Sequence, residues 1–355
     1  MILVRAFLAN NFGDDVFMRM LVRRYPSETF YFNCTKEYIK AISREPNIKY
    51  NNRVKSLINR CLDKMHLGSD DLFCGYIRNQ RYKAIVHIGG SIFIEKEGWK
   101  AETIREKNAF FIGANFGPYR TAEYLNYIKS VLKDASDCCF RDNYSKELFD
   151  ELDNVRCQPD IAFGYSELPA YNVGSAVGIS VINLKNRNDM ESVSDLYEDG
   201  IVEICNYHIK HNKKVKLFEF CAFEKDIEAI ERILKRINDK RMIEVVRYDS
   251  DLDGFISQLN TCSILYSTRF HGMIFGWLLE KMVVPIIYSK KQTNIITDLS
   301  FKGSYWDVLS RKSMPSECLN PGRDNTLPRQ VLKELAEAAN LQFYGLDVFL
   351  YGKSK

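Results

Sequence analysis

No stretch of the 355-residue sequence approaches the ~20 consecutive apolar residues that cross a bilayer, so no transmembrane segment is expected. The opening run Met1–Leu8 lacks the basic flank and long apolar core of a signal peptide and reads as a first strand. No two of the ten cysteines (Cys34, Cys61, Cys74, Cys138, Cys139, Cys157, Cys205, Cys221, Cys262, Cys318) have Cys-x-x-Cys spacing, which argues against zinc. Several lie in apolar runs, Cys221 after Val215–Phe220 among them, where a thiol acts as a small buried hydrophobe; reduced thiols in a cytoplasmic protein are expected. Charge of one sign is also missing. With 50 Lys and Arg against 46 Asp and Glu the net charge is only +4, which gives no basis for a nucleic-acid partner. There is no Gly-x-Ser-x-Gly elbow of a serine hydrolase and no paired-carboxylate glycosidase site; Glu219, Asp226 and the charge run from Glu224 to Lys240 read as helix surface and flanks. His208 and His211 stand three apart at a helix end without a matching Cys or acid cluster, so solvation there is expected rather than a metal. His66 and His87 have no visible partners.

What is present is an ordinary globular composition, 46% hydrophobic and 27% charged, in a chain long enough for two domains. Apolar runs at Ile2–Leu8, Thr29–Phe32, Ala84–Ile88, Ala109–Gly113 and Asp137–Phe140 read as strands. Between them, Asp15–Arg24 and Tyr119–Leu132 carry apolar residues at helical spacing. The rhythm breaks at residues 165–176, rich in Pro, Gly and polar residues, and then restarts. Strands are expected at Val177–Ile182, Lys214–Cys221, Ile243–Tyr248, Ser263–Tyr266 and Val283–Tyr288, with helices at Ser194–His208, Asp226–Ile237, Leu252–Leu259 and Gly272–Lys281. This is an α/β protein of two doubly wound, Rossmann-like domains, 1–170 and 176–355, the second ending in an amphipathic helix over 328–339. Such domains, facing across a cleft, would take their ligand outside the carboxyl ends of the strands.

The turn Ser267-Thr268-Arg269-Phe270-His271 lies between an expected strand and an expected helix, where free backbone N–H groups and the helix dipole favour an anion. Arg269 adds a planar fork suited to phosphate or carboxylate, and His271 adds a group that moves protons near neutral pH. Alone, such a triplet is as well explained by a helix cap and a surface ion pair. Its company alters that. Arg269-Phe270-His271-Gly272, the apolar helix, Val284-Pro285, Tyr288 and Lys291 follow in the order and spacing of the polysaccharide pyruvyl transferase family, which this sequence resembles with Phe270 in place of the usual Leu. Lys291 fits that spacing better than Lys290. Arg141-Asp142-Asn143-Tyr144-Ser145 is similar to the family's Arg-Asp-x-x-Ser, and Pro159-Asp160-Ile161-Ala162 to its Pro-Asp-x-Ala. Asn11-Phe12-Gly13-Asp14 resembles Asn-x-Gly-Asp, with Gly13 supplying a tight turn and Asp14 capping the helix. His87-Ile88-Gly89-Gly90-Ser91 resembles a Gly-Gly-Gly-Ser loop, with Ile88 replacing the first glycine.

The resemblance covers nearly the whole chain and implies a GT-B-like fold. It also implies transfer of pyruvate from phosphoenolpyruvate to a sugar of a cell-surface polysaccharide precursor, closing a ketal. In that scheme His271 is the catalytic acid, and Arg141, Arg269 and Lys291 bind the donor. Asn11, Asp14, Gly90 and Asn115 line the acceptor side in the first domain, with the donor side in the second. An alternative for Arg141 is an ion pair with Asp142 or Asp160. No metal or cofactor is required beyond phosphoenolpyruvate as donor substrate. Lipid-linked saccharides are among the candidate acceptors, which would bring the protein to the inner face of the membrane by peripheral contact. The rival readings are a nucleotide-sugar-dependent glycosyltransferase of the same architecture and a non-catalytic saccharide-binding protein.

Overall fold

The computed structural model describes residues 1–51, 82–101, 106–187 and 190–352. His66, Cys61 and Cys74 lie outside the described residues. The chain separates into two compact units. One contains Met1–Leu8, Asp14–Gly164 and Glu337–Lys355, and the other Ala9–Gly13 and Tyr165–Ala336.

In the first unit β1 (Ile2–Arg5), β2 (Phe30–Phe32), β3 (Ile48–Tyr50), β4 (Ala84–Ile88), β5 (Ala109–Ala114), β6 (Asp137–Phe140) and β7 (Val155–Cys157) form one sheet. Its order is β3-β2-β1-β4-β5-β6-β7, and every pairing is parallel. All residues of β5 and β6 are buried, as expected where helices cover both faces of a parallel sheet. The first strand stops at Arg5, the last residue with a partner on β4, instead of reaching Leu8. The edge strands β3 and β7 were not expected: each has three residues, and a charged one sits in the middle of each. Among the described residues, the helices that run between these strands are α1 (Phe12–Arg24), α2 (Ala122–Lys133) and the short α3 (Asn143–Glu147). Thr121 caps α2 by accepting from the Tyr124 N–H, which sets its start three residues after the expected one, and Tyr124, Ile128 and Leu132 bury its inner stripe.

The second unit repeats the plan with β8 (Ala176–Val181), β9 (Val215–Glu219), β10 (Ile243–Arg247), β11 (Cys262–Ser267), β12 (Met282–Ile287) and β13 (Trp306–Asp307). The order is β10-β9-β8-β11-β12-β13, again all parallel. Its helices are α4 (Glu191–Lys210), α5 (Asp226–Lys235), α6 (Leu252–Asn260), α7 (Phe270–Leu278) and α8 (Lys290–Asp298). One core packs Val177, Ile179 and Val181 of β8 with Leu217, Val284 and Ile286 from the other strands and with Tyr197, Ile201 and Ile204 of α4. The order reverses between β8 and β11, so the carboxyl ends of those two strands frame the crevice where doubly wound sheets bind ligands.

Two segments group against the sequence expectation. After α9 (Arg329–Asn340), the end of the chain with α10 (Tyr344–Tyr351) belongs to the first unit, not the second. The cause is a pair of buried polar anchors. The Gln342 amide accepts from Gly113 N–H at 3.0 Å and donates to the carbonyls of Phe140, Gln158 and Pro159. Asp347, fully buried, accepts from Arg24 at 2.6 Å and from the Tyr25 hydroxyl at 2.8 Å. Conversely, Ala9–Gly13 group with the second unit. There the Phe12 ring sits among Phe220, Tyr248, Phe255 and Phe275 at centroid distances of 4.9–5.5 Å, and Asn11 bridges to Cys221.

Candidate active site

The turn from β11 into α7 is held to the sheet by a closed ring of hydrogen bonds. Arg269 N–H donates to Ser180 Oγ at 2.9 Å, and Ser267 Oγ donates to the Arg269 carbonyl at 2.8 Å. The proton between Ser180 Oγ and Ser267 Oγ, 3.0 Å apart, is therefore given by Ser180. The two serines face each other in register across β8 and β11. Gly272 completes the fit, because a Cβ there would lie 2.4 Å from Ser267 Oγ. Thr268, fully buried, meets the Tyr197 hydroxyl at 3.0 Å, and its carbonyl accepts from Gln292 Nε2 at 2.6 Å.

Gln292 binds this turn to the next one. Its Nε2 also donates to Ile286 O, and its Oε1 accepts from the N–H groups of Tyr288 and Ser289 and from Ser289 Oγ. Ser289 and Gln292 form a capping box at the start of α8. One buried side chain thus fixes the start of α8, with Lys291, against the turn that carries Arg269 and His271.

α7 begins at Phe270, so His271 stands in its first turn and not in the loop before it. Its imidazole lies against the backbone of Gly13. A Cβ on Gly13 would fall 1.7 Å from His271 Nδ1 and 2.2 Å from Cε1. Gly13 was expected to make a tight turn; it is helical instead, and its missing side chain is what admits the imidazole. The expected cap is corrected as well. Asn11 takes that role, its Oδ1 accepting from Gly13 N–H at 3.0 Å, while Asp14 sits within the first turn of α1.

Arg269 is buried and enclosed by carboxylates. Nε donates to Asp226 Oδ2 at 3.1 Å, NH2 to both Asp226 oxygens at 2.5 Å, and NH1 to Glu224 Oε2 at 2.7 Å. Asp226, read from sequence as helix surface, is completely buried, and so is Glu219, at 1% exposure, which pairs with Arg247. Desolvation lowers the Arg269 pKa, but Asp226 and Glu224 outweigh it and the net shift is upward. Burial works to raise the Glu224 carboxyl, yet Arg269, Arg187 and Lys291 together bring it down to about 2.

Lys291 lies 5.6 Å from the centre of the Tyr288 ring, and Arg187 lies 5.1 Å from it. Arg187 also pairs with Glu224. Tyr288 is buried; desolvation would raise its phenol, but Lys291, Arg187 and Arg269 win and lower it. Arg187 was missed in the sequence, where it is one cation in a polar loop; the available signal was its position just beyond β8, one of the two strands that frame the crevice.

In the first unit Arg141, Gly90 and Asn115 come together at the carboxyl ends of β4, β5 and β6. Arg141 donates to Asp160 at 2.8 Å and to Asn115 Oδ1 at 2.6 Å, and a Cβ on Gly90 would lie 2.4 Å from its guanidinium. Asp160 is its ion-pair partner; Asp142 instead caps α3 through Ser145 N–H. Burial raises the Asp160 carboxyl against the lowering effect of Arg141. Asp14 Oδ1 lies 3.3 Å from where a Cβ on Gly89 would be. His87 does have partners, Glu106 at 2.5 Å and the stacked ring of Phe111. His208 is buried, not solvated, with Nε2 2.9 Å from the Tyr266 hydroxyl. The eight described cysteines are free thiols, six of them buried. No helix among the described residues is long and apolar enough to cross a membrane.

Compared with known proteins, residues 4–290 match the family model of polysaccharide pyruvyl transferases. No curated protein matches the chain. Among solved structures, S. aureus MnaA with UDP is similar at a TM-score of 0.59 and 9% identity, covering 98% of this chain and 96% of that one. Anabaena Alr3699/HepE with UDP-glucose is similar at a TM-score of 0.51 and 9% identity, over 98% and 96%. At such identity these likenesses establish the fold alone, which is GT-B-like, with two parallel-sheet α/β domains.

Proposed function

Since the chain belongs to the polysaccharide pyruvyl transferase family, we propose that it transfers the pyruvyl group of phosphoenolpyruvate to a saccharide of a cell-surface polysaccharide precursor and closes a cyclic ketal. The observation that carries this reading is His271, seated on Gly13 in the first turn of α7, at the crevice of the second sheet. Anionic substrates are favoured there by the helix start and by Arg187, Arg269 and Lys291.

In the proposed reaction the donor's methylene carbon takes a proton, which leaves its neighbour electrophilic. A sugar hydroxyl adds to that carbon, and the bond to the phosphate oxygen breaks with His271 as the acid assisting departure. A second hydroxyl then closes the ketal, so the two hydroxyl protons end on the new methyl group and on phosphate. Positioning and fixed charge supply most of the rate. Arg141 with Asn115 and Gly90 is the proposed substrate-contacting cluster of the first unit. No cofactor enters this scheme. Lipid-linked sugars are candidate acceptors, and the inner face of the membrane is the proposed place of work.

The test is phosphate release from phosphoenolpyruvate across a panel of free and lipid-linked saccharides. Acceptor-dependent release that is lost in folded His271→Ala supports the reading. Turnover with a nucleotide sugar and none with phosphoenolpyruvate would replace it with the glycosyltransferase alternative.

A further inference from the structure

We propose that Arg187 and Lys291, both set against the Tyr288 ring, form the binding site for the donor's phosphate, and that Arg269 is a positioning residue which does not contact it. The identity of the donor rests on the pyruvyl-transfer reading; the anion site itself rests on the geometry.

Exposure and saturation separate the cations. The Arg269 side chain is 9% exposed, and four hydrogen bonds to Asp226 and Glu224 occupy its fork. To reach Nε or NH2 a phosphate would have to displace Asp226, which is fully buried, and to reach NH1 it would have to displace Glu224 from a guanidinium that is itself buried. Arg187 is 31% exposed, and its partner Glu224 is 27% exposed and shared with Arg269. Losing Arg187 to a ligand therefore leaves Glu224 with a partner. Lys291 has no carboxylate within ion-pair distance among the described residues; its ammonium lies over the Tyr288 ring.

The charges point the same way. Among the described residues three cations, Arg187, Arg269 and Lys291, face two carboxylates, Glu224 and Asp226, which leaves this set one positive charge in excess. A dianionic group that bridged Arg187 and Lys291 would offset that excess and relieve the repulsion between them. The guanidinium supplies a planar two-pronged contact and the ammonium a compact charge, a combination suited to a tetrahedral phosphate. Gln292 fixes the start of α8 and with it the position of Lys291.

The experiment is calorimetric titration of the full-length protein with inorganic phosphate and with phosphoenolpyruvate. Arg187→Gln and Lys291→Gln are each expected to weaken both ligands by about 10-fold, the size of one charge-assisted contact. Arg187→Lys should recover part of the loss. Glu224→Gln, which removes the competing carboxylate, should tighten phosphate. Unchanged phosphate affinity in folded Arg187→Gln and Lys291→Gln overturns the site. If the wild type binds phosphate but not phosphoenolpyruvate, the donor assignment falls while the same variants still decide the site. If the wild type binds neither, both fall.

Discussion

Replacing Gly13 by Ala should separate activity from stability. The new methyl would begin 1.7 Å from His271 Nδ1, where ordinary van der Waals contact starts at 3.4 Å, so the imidazole or the start of α1 must give by the difference. A helical Gly-to-Ala change otherwise stabilises by about 1 kcal/mol, which offsets part of the strain and leaves the melting temperature close to wild type. Catalysis has no such compensation. A misplacement of ~1 Å costs on the order of 100-fold when a reacting group must be aligned, and here the shift is larger. Gly13→Ala should therefore lower kcat/KM for acceptor-dependent phosphate release by about 100-fold or more. The decisive measurement is a double-mutant cycle. If the methyl acts through the imidazole, adding Gly13→Ala to a His271→Ala protein should change the residual rate little. Full additivity, or normal turnover in Gly13→Ala alone, refutes the reasoning.

Four further perturbations follow from the same contacts. Arg269→Ala strips Asp226, completely buried, of its partner and should cost about 3–5 kcal/mol in urea unfolding, with Arg269→Lys recovering only part of it. Gln292→Ala leaves the carbonyls of Thr268 and Ile286 and the N–H groups of Tyr288 and Ser289 without this partner; a loss of about 2–3 kcal/mol and a lower kcat should appear together. Burial, with help from His211 and Lys213, lowers the His208 pKa to about 4 from 6.5, so between those values the unfolded chain takes up a proton that the folded chain refuses. Stability should fall by about 3 kcal/mol as pH drops through that window, and His208→Gln should flatten this part of the pH profile. Phe12→Ala should cost about 3–5 kcal/mol by emptying the cage of Phe220, Tyr248, Phe255 and Phe275, which thermal unfolding would register.

The central strands were legible because both their faces are largely buried, which makes Ala84–Val86 and Cys138–Phe140 continuous apolar runs. Edge strands such as β3, β7 and β13 have two or three residues and little apolar signal, and α8 reads Lys-Lys-Gln-Thr-Asn-Ile-Ile-Thr-Asp, which hides a helix start made by a capping box. The Arg-x-His turn was visible from its strand-to-helix setting and its companions. Its counter-ions were not: Asp226 belongs to a charge run that looks like solvated surface, and only the fold brings it to Arg269, 43 residues along the chain. Gly13 shows the same limit. A local reading assigns glycine to backbone conformation, but the reason for this one is a side chain 258 positions away, which only the folded chain brings against it.

Lys225, between the two acids that hold Arg269, ties the site to its scaffold. It is in the left-handed region at φ 58°, a conformation that costs a non-glycine residue about 1–2 kcal/mol. The twist ends the short helical turn carrying Glu224 and starts α5 at Asp226, so two carboxylates only two positions apart in sequence both reach one guanidinium. In a continuous helix, residues two apart point to different faces. The strain is thus matched to a specific geometry: a buried arginine closed by Asp226, with the half-exposed Glu224 shared between Arg269 and Arg187. A local cost of this kind persists when the surrounding contacts over-determine the conformation. Here those contacts include the serine ring under the Arg269 backbone and the bidentate hold of Asp226, which together fix the turn that presents His271.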